Sequence, residues 1–246
     1  FDITRRGRSS MHLNLREPVD LATARDLIDA ADLLIEGYRP GVMERLGLGP
    51  QATLGRNPKL VFGRITGWGQ DGPYALRAGH DLDFIAVAGI LAHVGRRGQP
   101  PTPPQNLVAD YGGGAMLLLV GVLAALWESQ RSGLGQVVDA AMVDGSALLT
   151  SMMRTLTSQG LWSPEVGVNI LDSGAPFYDV YATADSKWLA VACLEADFFA
   201  EFVSICALDN KWLEIQYDPA HWPELRTAIA EVIATRTQEA WSESFA

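Results

Sequence analysis

Cysteine is scarce. The two in 246 residues, Cys193 and Cys206, cannot make a disulfide framework, and no metal-ligand spacing surrounds them. A reducing, cytoplasmic setting with no metal is the expectation. Also missing are GxGxxG and the P-loop, which removes the dinucleotide and nucleoside-triphosphate fingerprints. Positive charge is in deficit: 19 Lys and Arg stand against 29 Asp and Glu, for a net charge of −10. That balance argues against a general nucleic-acid binder, though not against a local basic pocket for a phosphorylated small molecule. No charged-then-apolar leader opens the chain. The longest apolar run, Ala115 to Trp127, falls short of the roughly 20 residues that span a bilayer, so no membrane span is expected. There is no internal repeat and no low-complexity tract. Phe1 is not an initiator, and Thr235 to Ala246 stops inside a helical pattern without a cap. The reading therefore expects a piece truncated at both ends.

What is present suits a packed core: 48% of the residues are hydrophobic, in a length that holds one large or two modest domains. Met11 to Leu15 alternates like a short strand, and Pro18 and Asp20 open a helix with Leu21, Ala24, Leu27, Ile28 and Ala31 on one face. Leu33 to Ile35 predicts a second strand, Pro40 to Leu46 and Leu48 to Arg56 two helical segments, and Lys59 to Thr66 a third strand. Strands separated by helical crossovers predict a parallel α/β sheet. Pro100 to Pro104 is a stiff connector. It leads to a helix over Gly114 to Arg131, apolar all round and so expected to be buried. Val137 to Ala141 reads as a strand, followed by helix and loop without sheet pattern from Asp144 to Asp172. A hairpin over Ala175 to Leu194, an amphipathic helix over Asp197 to Leu208 and another over Trp222 to Ala234 predict a smaller α+β domain. The division expected is a large α/β domain over 1–141, a linker over 142–174 and a small domain over 175–246.

Chemistry concentrates in Ala78-Gly79-His80-Asp81-Leu82-Asp83-Phe84 and in Asn106 to Gly114. Each places an ionisable side chain beside glycine, where a short turn can bring backbone close to a ligand. His80 exchanges a proton near neutral pH. With Asp110 across a substrate carbon it makes a two-base proton-transfer site. Arg39 and Arg45 follow the Leu33 to Ile35 strand, at the carboxyl end where α/β sheets hold ligands, and guanidinium groups there suit phosphate. An Asp110 that merely caps a helix, or surface arginines, would satisfy the same spacings.

The runs IEGYRPGVMERLGLGP (35–50), ITGWGQDGP (65–73), AGHDLDF (78–84), NLVADYGGG (106–114) and GQVVDAAMVDG (135–145) resemble the class III CoA-transferase superfamily. Within it they are most similar to the α-methylacyl-CoA racemase branch. The resemblance spans essentially the whole chain. It implies a Rossmann-like large domain, a small α+β domain and an interlocked homodimer, in which a small domain completes the site of the other subunit. It also implies His80 and Asp110 as the catalytic pair, Glu195 as a partner that hydrogen-bonds the histidine, and the backbone N–H of Asp81 as donor to the thioester oxygen. Leu13, Asn14, Leu15, Arg16, Arg39 and Arg45 fall at CoA-holding positions, and Gly79 and Phe84 at substrate positions of the histidine motif. Relatives often carry lysine where Arg16 stands.

The function implied is interconversion of (2R)- and (2S)-2-methylacyl-CoA thioesters through an enolate. CoA is part of the substrate and no cofactor is required. Two other readings fit some of the same residues. One is a class III CoA-transferase in which Asp110 attacks the thioester; the other is a scaffold that binds acyl-CoA without turnover.

Overall fold

The computed structural model describes residues 3–246 and divides into two compact units. The first takes in the chain up to Ala88 together with Gln105–Thr150; the second is Gly89–Pro104 with Ser151–Ala246.

The first unit is built on a three-stranded parallel sheet: β1 (Leu33–Glu36), β2 (Val61–Thr66) and β3 (Val137–Ala141), with β2 in the middle. A central parallel strand is covered on both faces and reads as a nearly continuous apolar run. β2 obeys this, and its first residues, with Leu60 just before them, alternate between two cores. Leu60 and Phe62 join Ala24, Ile28, Met43 and Leu48, from α1 (Pro18–Asp29), α2 (Val42–Arg45) and the turn before α3 (Pro50–Arg56). Val61 faces Leu118, Val122 and Ala125 on the other side. Gly63 lets the helix bearing those residues approach: a Cβ there would lie 2.9 Å from Val122 Cγ1.

Two expectations are corrected. Met11 to Leu15 is not a strand. Leu13 and Leu15 do bury against the first core, but the Asn14 N–H donates to Asp20 Oδ2 (2.7 Å) and its carbonyl accepts from Glu17 (2.8 Å). Backbone spent on the entry to α1 is not available to a sheet. Nor is the apolar helix buried all round. It begins as a π-helical segment, Leu107–Met116, and continues as α5, Leu117–Ser132. Leu118, Val122, Ala125 and Ser129 pack inward, whereas Val120, Leu123 and Trp127 are more than half exposed. A small sheet offers one surface to pack against, so the opposite stripe stays bare. The helical ladder also runs on through Asp110 and the glycines, and at 26 residues, with a mean hydropathy of 1.8 over an 18-residue stretch, it is long and apolar enough to cross a membrane by length and composition alone.

After β2 comes α4 (Asp81–Val87), and after β3 comes α6 (Met142–Leu149), which packs on the π segment. The 142–174 stretch is thus divided differently from the linker expected. α6 stays with the first unit, and α7 (Ser151–Ser158) with the loop after it belongs to the second. That loop winds around Asn169, whose Nδ2 donates to Ser163 O, Glu165 O and Asp172 Oδ2. Bonds of this kind leave no hydrophobic period to read.

In the second unit β4 (Tyr178–Ala182) and β5 (Trp188–Ala192) form an antiparallel hairpin. Four helices follow: α8 (Ala196–Ile205), α9 (Lys211–Glu214), α10 (Trp222–Ile233) and α11 (Gln238–Ser244). Phe177, Phe199, Trp212, Leu225, Ile229, Ile233 and Trp241 make its core. The buried Asp179 carboxylate accepts from Arg96 (2.8 and 3.2 Å) and from Arg226, which ties residues 89–104 to this unit.

Candidate active site

His80 is the N-cap of α4, with extended backbone, and its N–H donates to Asp83 Oδ2 (2.9 Å). The side chain stands at a cavity of about 290 Å³ shared with Tyr38, Arg39, Trp68, Gly79 and Phe84. The glycines here make room for an aromatic ring. A Cβ on Gly67 would sit 2.2 Å from Phe84 Cε1, and one on Gly79 would sit 2.7 Å from it. Phe84 is thereby pinned edge-on to Trp68, with ring centroids 4.8 Å apart.

Next to this cavity in the chain lies a second cleft, of about 440 Å³, lined by Leu13, Asn14, Leu15, Arg16, Tyr38 and Arg45. Tyr38 lines both. The structure therefore gathers Leu13 to Arg16 with Arg45 at one cleft, and Arg39, Gly79 and Phe84 with His80 at the other. Arg16, Arg39 and Arg45 are exposed, with their charges open to a ligand.

Asp110 is the fourth residue of the π segment, half-buried, and its Oδ2 accepts from Asn106 Nδ2 (3.3 Å). It does not line the His80 cavity. What joins the two is the side chain of Asp81, buried to 3% exposure at the first turn of α4. Its Oδ2 accepts from the N–H groups of Ala109 (2.7 Å) and Asp110 (2.8 Å). The residue after the histidine thus holds the backbone of the aspartate, and one carboxylate serves the positive ends of two helical segments. The sequence reading assigns a role to the Asp81 backbone alone. Its side chain, the part that binds the two motifs together, escaped that reading because the partner is a backbone 28 residues away.

The triple glycine is corrected likewise. A Cβ on Gly113 would lie 2.6 Å from Ser146 N, and one on Gly145 would lie 1.8 Å from Gly113 O. These residues admit the backbone of α6, so the close approach they allow is to protein. Glu195, the N-cap of α8, is exposed and belongs to the second unit. Tyr38 and Trp68 follow the first two sheet strands, where α/β sheets hold ligands, but the sequence assigns them no role, and it does not reveal an ion-pair network around Arg64. An arginine inside the apolar run KLVFGRIT is the one signal that pointed to the last.

A model of CoA-transferase family III matches residues 1–246, and the chain belongs to that family. Its similarity to two curated members is substantial. It is 42% identical to the alpha-methylacyl-CoA racemase of Mus musculus over 240 residues, 98% of this chain and 63% of that protein. It is 39% identical to the alpha-methylacyl-CoA racemase of Homo sapiens over 247 residues, 100% of this chain and 65% of that one. The chain thus spans a little under two thirds of the relatives' length. The fold matches the crystal structure of a CAIB/BAIF family protein from Brucella suis with a TM-score of 0.79 at 22% identity, over 97% of this chain and 64% of that one.

Proposed function

We propose that the protein is a racemase of 2-methyl-branched acyl-CoA thioesters. The observation that carries this reading is the Asp81 bridge, which ties the helix start bearing His80 to the backbone of Asp110. Two residues that can each take and give a proton are thereby kept in one constant relation, and inversion at a carbon requires that. In one direction neutral His80 removes the α-proton, the electron pair delocalises into the thioester as an enolate, and protonated Asp110 returns a proton to the opposite face. In the other, the Asp110 carboxylate is the base and the imidazolium the acid. The first-turn N–H of Asp81 lies outside the helical ladder and is the donor for the enolate oxygen, a contribution of roughly 3–4 kcal/mol. The cleft at Leu13 to Arg16 and Arg45 holds the CoA moiety, Arg39 supplies further positive charge, and Gly79 and Phe84 shape the wall at the thioester. CoA arrives with the substrate, so the chemistry calls for no further cofactor. The reading extends to an interlocked homodimer in which Glu195 orients His80 of the other subunit. The free thiols of Cys193 and Cys206 suit a reducing compartment such as the cytoplasm.

The test uses the full-length protein in D₂O with one enantiomer of a 2-methylacyl-CoA. Deuterium should enter the α-position as the centre inverts. His80→Ala and Asp110→Asn should each slow inversion in both directions by about 10²–10⁴. Movement of a labelled acyl group to an added free acid, or a CoA thioester trapped on Asp110, would establish the transferase instead. Binding without any exchange would establish the scaffold.

A further inference from the structure

Between the two cavities runs a strap, Gly37 to Arg45, which gives Tyr38 and Arg39 to the His80 cavity and Tyr38, Val42 and Arg45 to its neighbour. Arg64 is buried at 5% exposure in the middle of β2, directly in register with Glu36 at the end of β1. Its Nε donates to Glu36 Oε1 (2.9 Å), and a terminal nitrogen lies 2.7 Å from the same oxygen. The other terminal nitrogen donates to Glu44 Oε1 (3.0 Å), on α2 beside Arg45. The second oxygen of Glu36 accepts the N–H of Tyr38 (2.7 Å). Both ends of the strap are therefore tied to one guanidinium: the start through Glu36, the end through Glu44. Gly41, at φ +80°, makes the bend between them. Arg64 itself lines neither cavity.

A lone arginine in a buried strand is costly unless its geometry is used, since desolvating charge offsets much of what pairing returns. A planar fork is the one side chain that can hold two carboxylates in a set arrangement. We infer that Arg64, acting through Glu36 and Glu44, is a positioning residue that sets where the strap presents Tyr38, Arg39 and Arg45 to the CoA thioester. This rests on the assignment of the two cavities to that ligand.

The critical variant is Glu44→Gln, because the Glu44 side chain is 44% exposed and its loss leaves the buried Arg64–Glu36 pair intact. Removing a negative charge beside Arg45 would by simple electrostatics tighten binding of an anion. Positioning predicts the reverse. In the full-length protein, the KM for a 2-methylacyl-CoA and the calorimetric Kd for CoA should each rise about tenfold, with kcat within about twofold of the parent, as expected for a lost charge-assisted bond felt only in binding. A pantetheine thioester lacking the nucleotide should be turned over as before. Arg64→Lys, which keeps the charge and loses the fork, should show the same split, and Glu44→Asp should recover part of it. Unchanged or tighter CoA binding in Glu44→Gln would overturn the inference while leaving the racemase reading standing. A parent protein that binds no CoA would bring down the cavity assignment, and the inference with it.

Discussion

Removing the Asp81 carboxylate is the most direct perturbation of the link between His80 and Asp110. Asp81→Ala leaves the N–H groups of Ala109 and Asp110 without their acceptor, in a place where Asp81 is 3% exposed. Each stranded buried donor costs about 1–3 kcal/mol, so the variant should lose roughly 2–6 kcal/mol of stability. For a chain of this size each kcal/mol lowers the melting temperature by about 2–4 °C, which puts the expected fall at roughly 4–24 °C. Asp81→Asn keeps the shape and one acceptor oxygen, and neutral hydrogen bonds are about half as strong as charge-assisted ones. Its loss should be near half that of the alanine variant. Thermal unfolding measures the first quantity and α-proton exchange in D₂O the second. Exchange should fall more in Asp81→Ala than in Asp81→Asn, with the KM for acyl-CoA nearly constant, because the cleft at Arg45 is built from other elements. An alanine variant that melts with the parent and exchanges at full rate would refute the bridge as the element that holds the pair.

Two further outcomes follow from the packing and the ion pairs. Gly145→Ala places a methyl group 1.8 Å from Gly113 O, where only backbone can give way. It should cost about 1–3 kcal/mol or more in chemical unfolding, whereas Gly55→Ala, inside α3 with nothing within 4 Å, should add about 0.5–1 kcal/mol. In the second unit, burial alone would raise the Asp179 pKa, but hydrogen bonds from Arg96 and the Val180 N–H, with the charge of Arg226, hold it below its ordinary value. A carboxylate with a depressed folded-state pKa contributes stability that is present above its unfolded value of about 4 and is lost as pH falls through the folded one. Denaturant unfolding should therefore show an acid-side decline below about pH 4 that shrinks in Asp179→Asn. That variant should also be less stable at neutral pH by about 1–3 kcal/mol, since the buried carboxylate gives way to a weaker neutral acceptor, while Arg96 (51% exposed) and Arg226 (33% exposed) keep access to water. An unaltered acid slope would show that the cluster is not coupled to folding.

The local pattern of the chain determined most of its elements. Short apolar runs marked β1, β2 and β3, Pro18 marked the start of α1, and the stretch from Ala175 to Leu194 read as a hairpin, because each depends on residues adjacent in sequence. The residue types at His80, Asp110, Arg39 and Arg45 also suggested the chemistry proposed above, since few side chains move protons near neutrality or grip phosphate. What tertiary structure alone decided was which backbone each group meets. Met11 to Leu15 has a strand's alternation and no strand to pair with. The π segment and α5 have apolar residues on every side, and the sheet decides which of them are buried. Glycines 113 and 114 read as room for a ligand and turn out to be room for α6, with Gly145 on the other side of that contact. Asp81 and Arg64 show the limit most plainly. Their partners lie 20 to 29 positions away in sequence and are largely carboxylates or bare N–H groups, which leave no period in the chain and come together only when it folds.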